Sequence, residues 1–314
     1  MRRDMLEREV RDVLARADFM VSEPHGLRSV SFDFVARREG LIVVARCVQN
    51  LCAVDGDSAR EMKVLASTLG GSPLVVATHG PAGKLEDGVV HSRFGVPLMT
   101  VASVSDMFLE GVPPYVFAGP GGLYVRIDPK ELAKARDAKF SIGELAEAAG
   151  VSRRAIQMYE AGMGAMLEAA MRLEKYLGRE IILPVDPFSA SRSESVEERP
   201  VREVGGLRGE VFDSLGKLGC RVLQTVHCPF DALTKERENI YFTGIVADPS
   251  KLGEKGMAAF NVAKIAGGQS VVFTRNPPTK KNACGSAVVG REELERVRDP
   301  AELKRLVRER GGAR

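Results

Sequence analysis

Phe140-Ser-Ile-Gly-Glu-Leu-Ala-Glu-Ala-Ala-Gly-Val-Ser-Arg-Arg-Ala-Ile-Gln-Met-Tyr-Glu-Ala-Gly162 reads as two short helices joined by a sharp turn. Ser141 is placed to N-cap a helix whose inner face carries Ile142, Leu145 and Ala146. Ala146 and Ala149 are small, so a second helix can cross closely. Gly150 supplies the turn, where a left-handed backbone is needed. Val151 then plugs the core and Ser152 caps the next helix. Ala155, Ile156 and Tyr159 face inward from it, which leaves Arg153, Arg154 and Gln157 on its outer face. Leu167 to Leu177 has apolar residues at 167, 170, 171, 173 and 177, the spacing of a helix that closes the bundle.

Arg pairs bidentately with guanine O6/N7 and Gln with adenine N6/N7, so this outer face suits a helix inserted N-terminus first into a DNA major groove. The residues Leu145-Ala146, Gly150-Val151-Ser152, Ile156, Tyr159-Glu160 and Gly162 resemble the Cro/phage-repressor (XRE-like) class of helix-turn-helix domains. With its flanks, the chain resembles an archaeal family of helix-turn-helix transcriptional regulators over nearly its whole length. That resemblance implies sequence-specific binding of double-stranded DNA and transcriptional regulation. It makes Arg153, Arg154 and Gln157 the base readers and puts Ser141 and Ser152 near phosphates. The sequence departs from the class in two places. Ile142 stands where a phosphate-binding Gln is common, and Met163-Gly164-Ala165-Met166 carries no charge before the closing helix. Lys130 to Glu180 holds nine basic and eight acidic residues, so the module alone makes few phosphate contacts. A homodimer, or help from the C-terminal third, is therefore expected. Residues 201–314 hold 20 basic and 14 acidic residues, and Lys304-Arg305, Arg308 and Arg310 offer either an auxiliary backbone contact or a solvated helix face. A protein-docking bundle is the alternative reading of the motif itself.

Outward from this segment the pattern is α/β (α+β). Residues 1–112 read as a nuclease-like mixed sheet with helices: a helix over Met5 to Ala15, a strand at Phe19 to Ser22, and the turn Pro24-His25-Gly26. A hairpin of Val30 to Ala36 and Leu41 to Val48 follows, then a helix over Asp57 to Leu69 ended by Gly70-Gly71, and strands at Leu74 to Ala77 and Val96 to Val101. Residues 113–128 form a β-hairpin connector around Gly119-Pro120-Gly121-Gly122, which lies between strands and so is no phosphate loop. The helix-turn-helix domain spans 129–186 and a flexible linker 187–204. Residues 205–314 repeat the first domain. Pro229-Phe230-Asp231-Ala232-Leu233 parallels Ser31-Phe32-Asp33-Phe34-Val35, Asn239 to Ala247 parallels Gly40 to Val48 with one residue inserted in the turn, and Gly267-Gly268 parallels Gly70-Gly71.

The first domain, with Glu9 on its leading helix and Asp33 at a strand start, resembles the core of restriction-endonuclease-like and Holliday-junction-resolvase-like enzymes. Those use an Asp and a Glu-x-Lys on adjacent strands to hold Mg²⁺ and position water. Here the second motif reads Val44-Ala45-Arg46, and its counterpart in the repeat reads Thr243-Gly244-Ile245. The carboxylate is missing from both, so neither catalytic nor metal-binding residues are expected, and Asp33 and Asp231 serve local backbone donors. A Mg²⁺-dependent structure-specific nuclease is the rival reading.

Composition agrees with a folded chain of several domains: 314 residues, 44% hydrophobic, 28% charged, net charge +3. Cys47, Cys52, Cys220, Cys228 and Cys284 form no C-x-x-C pair and read as reduced thiols of a cytoplasmic protein. The charged first residues lack a signal-peptide core, and no apolar run is long enough for a membrane span. The four histidines are scattered, no cofactor is indicated, and nothing identifies an effector ligand.

Overall fold

A computed structural model describes residues 3–23, 31–189 and 204–312. The chain forms two compact units, Met1–Val13 with Val48–Ala53 and Val75–Ala190, and Leu14–Cys47 with Val54–Leu74 and Ser191–Arg314. The N-terminal third therefore contributes to both. Its elements are α1 (Arg3–Arg16), β1 (Met20–Val21), β2 (Phe34–Arg38), β3 (Leu41–Asn50), α2 (Gly56–Thr68), β4 (Ser72–Gly80), β5 (Gly83–Lys84), β6 (Val89–Arg93), β7 (Val96–Met99) and α3 (Val101–Ser105). The strand order is β1-β2-β3-β4-β7-β6. Ile42 to Val48 of β3 are all buried, the pattern of a central strand covered on both faces.

The apolar run expected as a strand to Val101 stops at Met99, because the Thr100 side chain accepts the Ser103 N–H and starts α3. Strand β6, with its two buried valines, had no alternation long enough to be read. The turn Pro24-His25-Gly26 lies outside the described residues, as do residues 190–203 of the expected linker.

Next come β8 (Val116–Gly119), β9 (Gly122–Ile127), α4 (Pro129–Lys139), α5 (Ile142–Ala149), α6 (Arg153–Glu160), β10 (Ala165–Met166), α7 (Leu167–Leu177) and β11 (Ile182–Leu183). Strand β8 pairs with β6, and β9 pairs with β8, β10 and β11. The hairpin is thus more than a tether, since Val125 and Ile127 of β9 enter the same core as Leu145, Ile156 and Leu173 of the helices.

The final third holds α8 (Gly206–Lys217), β12 (Arg221–Gln224), β13 (Ala232–Glu236), β14 (Asn239–Val246), α9 (Leu252–Ala266), β15 (Gln269–Thr274), β16 (Asn282–Ala283), β17 (Ser286–Gly290), α10 (Arg291–Arg296) and α11 (Pro300–Arg310). Its strand order, β12-β13-β14-β15-β17-β16, reproduces that of the first third. The double glycines repeat in detail. Gly70 (φ +67°) and Gly267 (φ +80°) both leave a helix in the left-handed region. The next glycine in each copy presses on a strand carbonyl: a Cβ on Gly71 would stand 2.6 Å from the Ile42 oxygen, and one on Gly268 2.9 Å from that of Ile240.

No residue is inserted in the second hairpin turn. Both hairpins close with two-residue loops, Glu39-Gly40 and Arg237-Glu238, whose first residues have φ +50° and +49°. The expected four-residue turn was too long, because Arg37 and Arg38 continue β2 and pair with Ile42 and Leu41. The match is therefore shifted by one: Leu41 corresponds to Asn239, and Arg46 to Gly244.

Part of the first copy packs on the second within one unit. The Glu61 carboxylate of α2 accepts the N–H groups of Val226 (2.7 Å) and His227 (3.1 Å) and the Ser31 hydroxyl (2.7 Å). The Ser31 N–H donates to the His227 carbonyl at 3.2 Å, and the equivalent rings Phe32 and Phe230 lie 6.3 Å apart.

Candidate nucleic-acid interface

Local chemistry fixes each end of the helix-turn-helix. Asp128 caps α4 through the Lys130 N–H at 2.8 Å, with Pro129 in the first turn. Ser141 and Glu144 form a reciprocal capping box at the start of α5, at 3.2 and 2.7 Å. The Ser141 backbone N–H holds the Glu144 carboxyl below its ordinary pKa. Gly150 ends α5 at φ +70°, and Ser152 Oγ accepts the Ala155 N–H at 3.2 Å to begin α6. Ile156 (0% exposed) and Tyr159 (4% exposed) lock α6 onto the bundle, and burial raises the Tyr159 phenol pKa. Arg136 on α4 and Glu160 on α6 form an ion pair at 2.9 Å. Glu174 of α7 accepts the N–H groups of Ile181 (2.8 Å) and Ile182 (2.9 Å), fixing the chain that returns to β9.

Arg153, Arg154 and Gln157 are all exposed, and their i, i+3 and i+4 spacing puts them on one face of α6. Arg153 bends back over α5, where a Cβ on Gly143 would meet its guanidinium at 3.3 Å. Gly143 therefore makes room for that side chain. Ser141 and Ser152 are exposed caps, and each hydroxyl uses an acceptor lone pair for the helix and keeps its hydrogen to donate outward. The sequence did not single out Met158, the residue after Gln157 on α6, which is 40% exposed. A methionine on a short helix resembles a core residue, and only the packing distinguishes it. The basic C-terminal helix is partly committed elsewhere. Arg310 makes a two-pronged pair with Glu293 at 2.9 and 3.0 Å and donates to the Val288 carbonyl, so it is no free phosphate contact.

The aspartates of the two nuclease-like copies are both engaged by the protein's own groups. Asp33 (6% exposed) accepts the Cys47 N–H on its Oδ2 at 2.6 Å, and Arg46, across the hairpin from it, donates to Ser58 at 2.7 Å. Asp231 accepts the Ile245 N–H at 2.7 Å, with Lys255 Nζ at 2.9 Å on the same oxygen and Arg208 at 3.3 Å on the other. Each aspartate serves a backbone donor on the neighbouring strand. No group of three or more metal-ligating His, Cys, Asp or Glu side chains exists among the described residues. The Lys255 ammonium on Asp231 opposes a divalent cation at that carboxylate.

Comparison with known proteins places both features in one lineage. Residues 3–114 match the PD-(D/E)XK superfamily domain and residues 132–182 match a helix-turn-helix family. A protein of Methanocella arvoryzae is 34% identical over 96% of this chain and 95% of its own length. One of Methanosarcina acetivorans is 32% identical over 99% and 98%, and one of Natronomonas pharaonis 34% identical over 99% of both. All three are named as HTH-type transcriptional regulatory proteins. No solved structure matches the chain. With relatives aligned from end to end at this identity, the chain belongs to the archaeal family of HTH-type transcriptional regulatory proteins.

Proposed function

We propose that this protein is a cytoplasmic, sequence-specific binder of double-stranded DNA that regulates transcription and reads the major groove with α6. The observation that carries the reading is the exposed trio Arg153, Arg154 and Gln157 on a helix locked from behind by Ile156 and Tyr159. A reader helix must be rigid so that bidentate side chains meet base edges without further ordering cost. Arg154 and Gln157 supply the base contacts, Arg153 joins them after leaving Gly143, and Ser141 and Ser152 donate to flanking phosphates. The near-neutral charge of the bundle favours a homodimer, which doubles the phosphate contacts. The working domains are 1–112, 129–186 and 205–314, with the 113–128 hairpin and the 187–204 linker between them. The two nuclease-like copies act as scaffold and not as enzyme, in keeping with the Lys255 ammonium on Asp231 and the backbone donor on Asp33.

The test is selection of bound duplexes from fragmented genomic DNA, followed by footprinting. A recurring motif with two half-sites spaced by about one helical turn, or a multiple of it, is expected for a dimer. Absence of any enriched motif moves the bundle to protein docking. Cleavage of branched or duplex DNA with Mg²⁺ that is abolished by Asp33→Ala would establish the nuclease reading instead.

A further inference from the structure

The second unit contains a cavity of about 560 Å³ whose lining joins β2 of the first copy to α9, β15 and α11 of the second. Three cations line it, Arg37, Lys264 and Arg308, and no aspartate or glutamate does. None of the three forms an ion pair among the described residues. Ser270 also lines it, is 5% exposed, and its Oγ has no hydrogen-bond partner among the described residues. A buried hydroxyl left without a partner is costly, and a ligand acceptor would relieve it. Gln269 adds an amide beside it. Phe260 supplies an apolar wall, its ring lying so close to Gly285 that a Cβ there would stand 2.6 Å away. Arg37 is seated over Gly267 in the same manner, its Nη1 2.5 Å from where a Cβ would be.

We propose that this cavity binds a phosphorylated small molecule, with Arg37, Lys264 and Arg308 on the phosphate, Ser270 donating to it, and the organic part against Phe260. Three cations without a counter-charge select a dianion, and planar guanidinium forks match phosphate oxygens. The volume exceeds that of bare phosphate and lies in the range of metabolite sites, about 300–1,000 Å³. Since β2 and α9 come from different copies, such a ligand fastens one copy to the other. The site stands independently of how α6 reads DNA.

Calorimetric titration of the full chain with AMP, glycerol 3-phosphate and pyrophosphate, and with adenosine as the uncharged control, tests this. At least one phosphate compound binds with a Kd below about 1 mM, and adenosine binds at least about tenfold more weakly than AMP. Arg37→Ala and Arg308→Ala each weaken the phosphate compound by about tenfold with Tm of the unliganded variants essentially that of the wild type, and Ser270→Ala weakens it by a few-fold with a Tm no lower than that of the wild type. Binding by none of the three, or binding indifferent to all three substitutions, overturns the proposal. A duplex that displaces the phosphate compound, and loses affinity in Arg37→Ala and Arg308→Ala, overturns it in favour of a DNA-backbone contact.

Discussion

The two nuclease-like copies share a strand order, a hairpin turn and an aspartate bonded to the neighbouring strand, yet they surround that aspartate differently. In the first copy the cross-strand position holds Arg46, which reaches to Ser58 on α2. In the second the same position is Gly244, and the space it leaves is crossed by Lys255, whose Cγ would lie 3.2 Å from a Cβ there, on its way to Asp231. One copy has a cation on the strand opposite its aspartate that turns to the helix, and the other sends a cation from the helix to the aspartate. Only in the second copy is a cation bonded to the aspartate in the contacts described above. What persists is the hydrogen bond from Cys47 or Ile245, which holds the sheet together whatever the chemistry.

The largest expected effect separates the copies at that aspartate. Asp231→Ala strands Lys255 and the Ile245 N–H together and should cost about 3 kcal/mol in a denaturant titration. Asp33→Asn keeps an acceptor for Cys47 and should cost about 1 kcal/mol, so equal losses would break the contrast. Next come the paired glycines: Gly71→Ala and Gly268→Ala each force a methyl onto a strand carbonyl, for about 1–3 kcal/mol, with Gly71→Ala the worse because its contact is closer. Lys255→Met should cost only about 1 kcal/mol, since Arg208 and Ile245 remain on Asp231.

The smallest effect lies on the acid limb. Arg310 holds the Glu293 carboxyl below its ordinary 4.5, so the pair's contribution is complete above that pH and is lost as pH falls through the lowered folded value. Replacing Glu293 by Gln should remove a contribution of about 0.5–1 kcal/mol at pH 7 and flatten the stability profile below pH 4.5. An unchanged acid limb would mean that Arg310 is held by the Val288 carbonyl alone.

Much of this was legible in sequence because it rests on local signals. Ser141, Gly150 and Ser152 announce the helix ends, and Leu167 to Leu177 forms the closing helix at the residues its periodicity marks. The repeat was visible through Asp33 and Asp231 and the double glycines. Its register was misplaced by one residue, because a two-residue turn starting at Glu39 or Arg237 requires a left-handed backbone that neither residue type signals. The packing of Glu61 against Val226 and His227 was invisible, since a carboxylate on a helix face looks solvated until the partner backbone arrives from far along the chain. The cavity at Ser270 was hidden for the same reason: its walls come from residues distant in sequence.

The most direct test of the central claim is to repeat the DNA selection with Arg154→Ala and Gln157→Ala. Each variant should lose discrimination at one base position per half-site, by about 1–3 kcal/mol, while affinity for non-specific duplex falls less. Selected motifs identical to those of the wild type in both variants would contradict major-groove reading by α6.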